Sequence, residues 1–227
     1  MSQPIKPVQI VKPVQRIQGN LLARAERRLL TWLCSRLPAW VKPDQLTALG
    51  LIGAAMVLVG YAASGIDVQW LWLAIAGFVV HWFGDSLDGS LARYRQIERP
   101  RFGYFIDHSA DGLGNLMIVG GLGLSPFVRL DVSLLALAGY YLLSIHAFLA
   151  ARVVGELRLS YAAAGPTELR LALIGMTLLM LSFGRGAPVI AGLSIFDLAV
   201  AVVGGVLIAL FIVQTIATGR RIAMEGE

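Results

Sequence analysis

Charge is scarce in this chain. Only 15% of its 227 residues are Asp, Glu, Lys or Arg, whereas a soluble domain carries about 25%. Apolar residues fill the gap: they make up 57% of the sequence and gather into long runs. That distribution excludes an ordinary soluble globule and makes the chain an integral membrane protein. Cysteine is nearly absent. Cys34 is alone, which excludes a disulfide within the chain and a multi-cysteine metal site. Its expected role is that of a small apolar residue on a helix face. An early apolar segment of signal-peptide length is also missing. The first long apolar run starts near Leu46 and continues too far for an h-region, so no cleavable signal peptide is expected. No internal repeat or low-complexity tract is evident.

What is present reads as an all-α membrane protein with six transmembrane helices and an N-terminal interfacial amphipathic helix. Residues 1–19 are polar, basic and proline-bearing, and read as an irregular arm. Leu22 to Leu37 reads as an amphipathic helix. Leu22, Leu29, Leu33 and Leu37 share one face, with Trp32 near it, and Arg24, Arg28, Thr31 and Ser35 share the other. A basic helix of this kind suits the membrane surface. Pro38 and Pro43 break it, and Asp44 is placed to cap the next helix. Spans are expected at about 45–64, 69–92, 104–125, 132–153, 167–184 and 195–217, each near the ~20 residues a bilayer needs. The domain reading is an arm and interfacial helix over 1–44, a membrane domain over 45–218 and a short tail over 219–227. Glycines in the spans, among them Gly50, Gly53, Gly204 and Gly205, are expected to permit close helix packing.

Charge sets the orientation. With an even number of spans and both termini on one side, only Arg129 and Arg185 of the 19 basic residues fall on the opposite side. The positive-inside rule makes the populated side cytoplasmic. The net charge of +5 then needs no nucleic acid to explain it, because anionic membrane lipids are the natural partner.

Four carboxylates break the apolar pattern. Asp85, Asp88, Gly89 and Ala92 lie at i, i+3, i+4 and i+7, one face of a helix, with Arg93 next. Gly103, Asp107 and Asp111 lie at i, i+4 and i+8, one face of the following helix. Charge at membrane depth is costly and marks a functional site. Clustered carboxylates repel unless cations compensate them, and an all-oxygen set suits magnesium, manganese or calcium. Two such ions would clamp a phosphate.

The stretch Asp85–Asp111 resembles the signature of the CDP-alcohol phosphotransferase family, D-x-x-D-G-x-x-A-R, a spacer, then G-x-x-x-D-x-x-x-D. Asp85, Asp88, Gly89, Ala92, Arg93, Gly103, Asp107 and Asp111 fill every fixed position. The spacer, residues 94–102, has nine residues where eight is common, and the additional residue is assigned to a loop. Pro43-Asp44-Gln45-Leu46-Thr47 resembles the P-N-x-x-T segment that often opens the family's first helix. The resemblance implies a phospholipid-synthesising transferase in a bacterial or archaeal cell membrane. An alcohol hydroxyl attacks the β-phosphorus of a CDP-alcohol, CDP-diacylglycerol before others, and CMP leaves. It implies two Mg²⁺ or Mn²⁺ ions on Asp85, Asp88, Asp107 and Asp111, with Asp111 completing that site or serving as the base. It implies CDP and phosphate contacts at Thr47, Gly89, Ala92, Arg93 and Gly103, and a homodimer.

Several residues have two readings. His81 fits a hydrogen-bonded histidine between helices better than a proton relay. His108, beside Asp107, fits either role, and His146 is not placed. Asn115 extends the Asp107–Asp111 stripe, as a supporting donor or as an interhelical hydrogen bond. Glu168 suits the first turn of its helix. Alternatively Glu168 and Arg170, with Arg152 and Arg158, shape a pocket for the acceptor alcohol. Two other functions compete. A membrane prenyltransferase usually wants a second acidic cluster, and only Asp131, Glu156, Glu168 and Asp197 follow Asp111 before the tail. A cation- or proton-coupled transporter wants midplane acids and repeats or broken helices.

Overall fold

The computed structural model describes residues 15–17, 23–158 and 165–225. Among the described residues seven helices carry the fold: α1 (Ala23–Arg36), α2 (Pro43–Ala63), α3 (Leu71–Tyr94), α4 (Pro100–Leu124), α5 (Leu130–Val153), α6 (Pro166–Phe183) and α7 (Ile195–Glu225). A 3₁₀ turn, Val68–Trp70, leads into α3. The architecture is that of an all-α membrane protein. Two three-residue strands, β1 (Gln15–Ile17) and β2 (Glu156–Arg158), pair in parallel. The part of the N-terminal arm around Arg16 is therefore extended and paired, where the sequence suggested irregular chain.

Among the described residues, five helical stretches are long and apolar enough to cross a membrane: Pro43–Ala63, Val68–Tyr94, Leu130–Val153, Pro166–Phe183 and Ile195–Met224. α4 fails that test because it carries Arg101, Asp107, His108 and Asp111. Its faces are nevertheless segregated. Phe105, Leu113, Leu116 and Leu124 are exposed, while Asp107, His108 and Asp111 turn toward the bundle. The other helices also present large apolar side chains outward, among them Ile52, Val79, Leu149, Val202 and Ile212. Such an outer surface suits lipid rather than water.

α2 and α3 form the closest helix pair, and glycine makes it possible. A Cβ on Gly53 would come within 2.3 Å of the His81 backbone nitrogen, and one on Gly84 within 2.3 Å of the Gly50 nitrogen. Gly204 does the same service between α7 and α5, against Ala136. Gly205 faces open space, so it is not a packing glycine. One apolar core (Val57, Tyr61, Leu71, Phe78, Ile118, Met180, Phe196) fills one end of the bundle. A smaller one, built from Cys34, Val41, Leu46, Leu87 and Leu91, joins α1 to the other end. The carboxylate-bearing segments lie between them.

α1 packs on the protein through Leu30, Leu33, Cys34 and Leu37. Leu29, on the apolar face with Leu33 and Leu37, is exposed together with Trp32; Leu22 lies outside the described residues. The helix docks around Cys34, whose thiol is pushed up by burial and drawn back by the nearby Arg95 and Arg93. Arg95 locks the α1–α2 turn. Its guanidinium donates to the carbonyls of Leu37, Pro38 and Val41 at 3.0, 2.9 and 2.6 Å.

Helix ends depart most from expectation. Asp44 does not cap α2. Pro43 occupies the first turn, and the Lys42 N–H donates instead to the Gln45 side chain at 2.8 Å. Asp44 pairs with Arg99 across the loop that precedes α4. α4 starts at Pro100 rather than near residue 104, because proline is pre-organised for a first turn. The loop is thus only 95–99, and much of the nine-residue spacer is helix. α7 runs to Glu225, past the apolar stretch, since nothing in residues 218–225 but Gly219 opposes a helix. The tail expected over 219–227 is helical as far as it is described.

Candidate active site

α3 and α4 supply the two acidic stripes, and the neighbouring helices furnish partners for them. On α3, Asp88 is buried. It accepts a hydrogen bond from the Thr47 hydroxyl of α2 at 2.6 Å. Asp85 pairs with the Arg170 guanidinium of α6. On α4, Asp111 faces His108, whose Nδ1 is 3.6 Å from Oδ2. The Asp85 and Asp111 carboxylates meet across the α3–α4 boundary at hydrogen-bonding range. Asp107 acts electrostatically on both Asp88 and Asp111. The four carboxylates converge.

Asp107, His108 and Asp111 each offer a ligand atom within 4.8 Å of the others. Among the described residues, His108 Nε2 is a buried side-chain nitrogen without a hydrogen-bond partner. Its ring is wedged between Tyr104 and Phe148, with centroids 4.3 and 5.0 Å away. Clustered carboxylate oxygens, held together and only partly neutralised by Arg170, suit a hard divalent cation.

The glycines of the motif differ in surroundings. A Cβ on Gly89 would meet the Arg93 guanidinium at 3.3 Å, so the exposed Arg93 folds back along α3 over Gly89. Gly103, in the first turn of α4, has nothing within 4 Å of a Cβ. Ala92 lies on the same face as Asp85, Asp88 and Gly89.

Between α2 and α3, His81 is hydrogen-bonded as expected, with Nδ1 3.1 Å from the Gly50 carbonyl. Its other nitrogen lies 3.4 Å from Arg170. Asn115 takes neither expected role. Its amide donates to the Asp111 carbonyl at 2.7 Å, within its own helix. His146 reaches Thr215 of α7 at 3.3 Å.

The residues assigned to an acceptor pocket separate. Arg170 joins the carboxylates. Glu168 caps its own helix, accepting from the Gly165 N–H at 3.0 Å. Arg152 is exposed at the end of α5. Arg158 lies in β2, and its side chain is outside the described residues. Sequence reasoning did not find Glu26, which accepts from the Trp82 indole at 3.0 Å and from the Thr167 hydroxyl at 2.6 Å. Nor did it find Tyr140 of α5, which feels the charges of Asp111 and Asp85. Tyr141 donates to the Gly112 carbonyl at 2.9 Å, beside Asp111. Neither tyrosine has a local signature in the chain. Asp197 is accounted for without a second acidic site. It accepts from the backbone N–H groups of Arg129 and Ser194 and closes the start of α7.

Residues 40–218, nearly all of the helical bundle and every position of the acidic motif, match the CDP-alcohol phosphatidyltransferase family. The chain belongs to that family. An archaetidylinositol phosphate synthase from Pyrococcus horikoshii is 32% identical over 104 residues, 46% of this chain and 52% of that protein. One from Methanothermobacter thermautotrophicus is 34% identical over 94 residues, covering 41% and 45%. Human cholinephosphotransferase 1 is 25% identical over 139 residues, covering 55% and 33%. The chain spans about half or less of the length of these curated relatives. CDP-alcohol phosphatidyltransferases act on CDP-alcohols and alcohol acceptors in membranes, and the converging carboxylates are where the family signature falls.

Proposed function

We propose that this chain is a phospholipid-synthesising transferase. An alcohol hydroxyl attacks the β-phosphorus of a CDP-alcohol, with CDP-diacylglycerol as the first candidate. A new P–O bond forms, the hydroxyl proton passes to Asp111, and the bond to the CMP oxygen breaks with its electron pair leaving on CMP. The observation that carries this reading is the meeting of the Asp85 and Asp88 carboxylates of α3 with the Asp107 and Asp111 carboxylates of α4.

Asp85, Asp88, Asp107 and Asp111 would hold two Mg²⁺ or Mn²⁺ ions, which when bound neutralise the pyrophosphate. Thr47 fixes the Asp88 carboxylate for that task and is assigned to the nucleotide contacts. Gly89, Ala92 and Gly103 leave room for the nucleotide to approach the helices. Arg93 pairs with phosphate through its planar fork. Asp111, with His108 beside it, receives the proton as general base. Of the residues expected around the acceptor, Arg170 is the one beside the carboxylates and is assigned to border it. The relatives are named for different head groups, so the acceptor is assigned only as an alcohol.

In this reading 45–218 is the membrane domain, preceded by the 1–44 arm and interfacial helix and followed by 219–227. α4 spans with the other five, because its charges face the bundle rather than lipid. Both termini are cytoplasmic, in a bacterial or archaeal cell membrane. α1 lies in the interface, where Arg24, Arg27, Arg28 and Trp32 line a shallow outer groove. The functional unit is a homodimer, as the family resemblance implies.

The test is CMP release by the purified protein, supplied with CDP-diacylglycerol and a panel of alcohols. CMP formation that depends on the alcohol supports the transferase. Turnover of a prenyl diphosphate without CMP release would support the prenyltransferase, and cation uptake without turnover the transporter.

A further inference from the structure

α6 is attached to the bundle by polar side chains as well as by apolar packing through Met180, Leu173, Ile174, Met176 and Leu181. Only Thr177 and Met180 are buried along its length. Thr167 donates to Glu26 at 2.6 Å near its start. Thr177 shares a 2.7 Å hydrogen bond with the buried Tyr61 hydroxyl farther along. Between them Arg170 reaches inward, its side chain 11% exposed, to Asp85 and His81.

His81 fixes where that guanidinium points. The Gly50 carbonyl can only accept, so the His81 nitrogen facing it, Nδ1, carries the proton. Nε2 then presents a lone pair, and Arg170 donates to it at 3.4 Å. The neutral ring orients Arg170 without competing for the charge of Asp85. The remaining guanidinium N–H groups are free to serve the carboxylate, and one does.

Asp85 is also the carboxylate that meets Asp111. A carboxylate surrounded by others and by protein needs a counter-charge, and Arg170 supplies one. A divalent ion held by Asp85 would compete with Arg170 for the charge of that carboxylate and would repel the guanidinium at short range. We propose that Arg170 is the resident counter-cation of Asp85 in the metal-free protein, displaced from that carboxylate when a divalent metal loads. This rests on the reading of the four aspartates as metal ligands.

The probe is Mn²⁺ alone, titrated into the purified full-length protein without nucleotide, with the free ion followed by its EPR signal. Arg170→Met keeps the apolar stem and Arg170→Gln a polar end. Both are expected to bind Mn²⁺ about tenfold tighter than the wild type, because a competing charge is gone. Thr177→Val cuts a different anchor of α6 and should leave the affinity unchanged. A residue that merely braces the site would weaken Mn²⁺ binding on removal. Equal or weaker affinity in both Arg170 variants overturns the proposal, as does the same tightening in Thr177→Val. No Mn²⁺ binding by the wild type and both variants overturns the metal-ligand reading beneath it.

Discussion

Asp107 and Asp111 are one helical turn apart, yet their neighbours differ. Asp111 meets Asp85 and His108, while Asp107 acts on Asp88 as well as on Asp111. If Asp111 is the base, Asp111→Asn keeps the size and one ligand oxygen but lowers kcat by about 10²–10⁴-fold, the usual value of general-base catalysis. CDP binding, read by calorimetry, should change little. Asp85→Asn, Asp88→Asn and Asp107→Asn should impair metal-dependent nucleotide binding as well as turnover. Loss of binding in Asp111→Asn equal to that in the others would make it a ligand only. Gly103 gives a cleaner probe of substrate approach. Its Cβ would touch no protein atom, so Gly103→Ala should fold with an unchanged melting profile and raise KM for the CDP substrate. An unchanged KM would remove Gly103 from the nucleotide path. The acidic stripes were legible because helical spacing places them on one face. The Asp85–Arg170 pair was not, because no periodicity links positions 85 residues apart on different helices.

At the scale of elements, the α2–α3 pair is the most constrained contact in the bundle. Gly84→Ala would drive a methyl group into the Gly50 nitrogen and the Leu46 carbonyl, 2.3 and 2.5 Å away. Those are backbone atoms and cannot step aside, so the helices must separate. The expected cost is about 1–3 kcal/mol, read as a lower thermal midpoint in detergent. Gly205→Ala, facing open space, should leave the midpoint unchanged or raise it slightly through better helix propensity. A larger loss in Gly205→Ala than in Gly84→Ala would contradict this packing. The helices themselves were legible because each is a long apolar run. Their ends were not, since Pro100, Gln45 and the absence of a strong breaker after residue 217 act independently of hydrophobicity. α1 was legible as an amphipathic helix, but its docking through Cys34 and Leu30 near Leu87 and Leu91 was not, because local spacing does not reveal such partners.

For the whole molecule, the basic residues predict that both termini and the 95–99 loop face the cytoplasm. Buried Cys34, with its thiol pushed up, should be slow to alkylate, which gives a quiet background for introduced cysteines. Labels applied from outside should reach positions near Asp67, Arg129 and Arg185 and spare Gln96. Outside labelling of Gln96 would invert or break the topology. Function joins the scales: charges that α4 turns away from lipid are the ones proposed to handle the pyrophosphate. The most direct measurement follows CMP and lipid product together in one reaction of purified protein, CDP-diacylglycerol and acceptor alcohol, after chelation and again after Mg²⁺ is restored. The expected result is no turnover with chelator, and CMP and phosphodiester lipid in equal amounts once Mg²⁺ is returned. Full turnover without metal, or CMP formed with no lipid product, would contradict a metal-dependent phosphotransfer at these four aspartates.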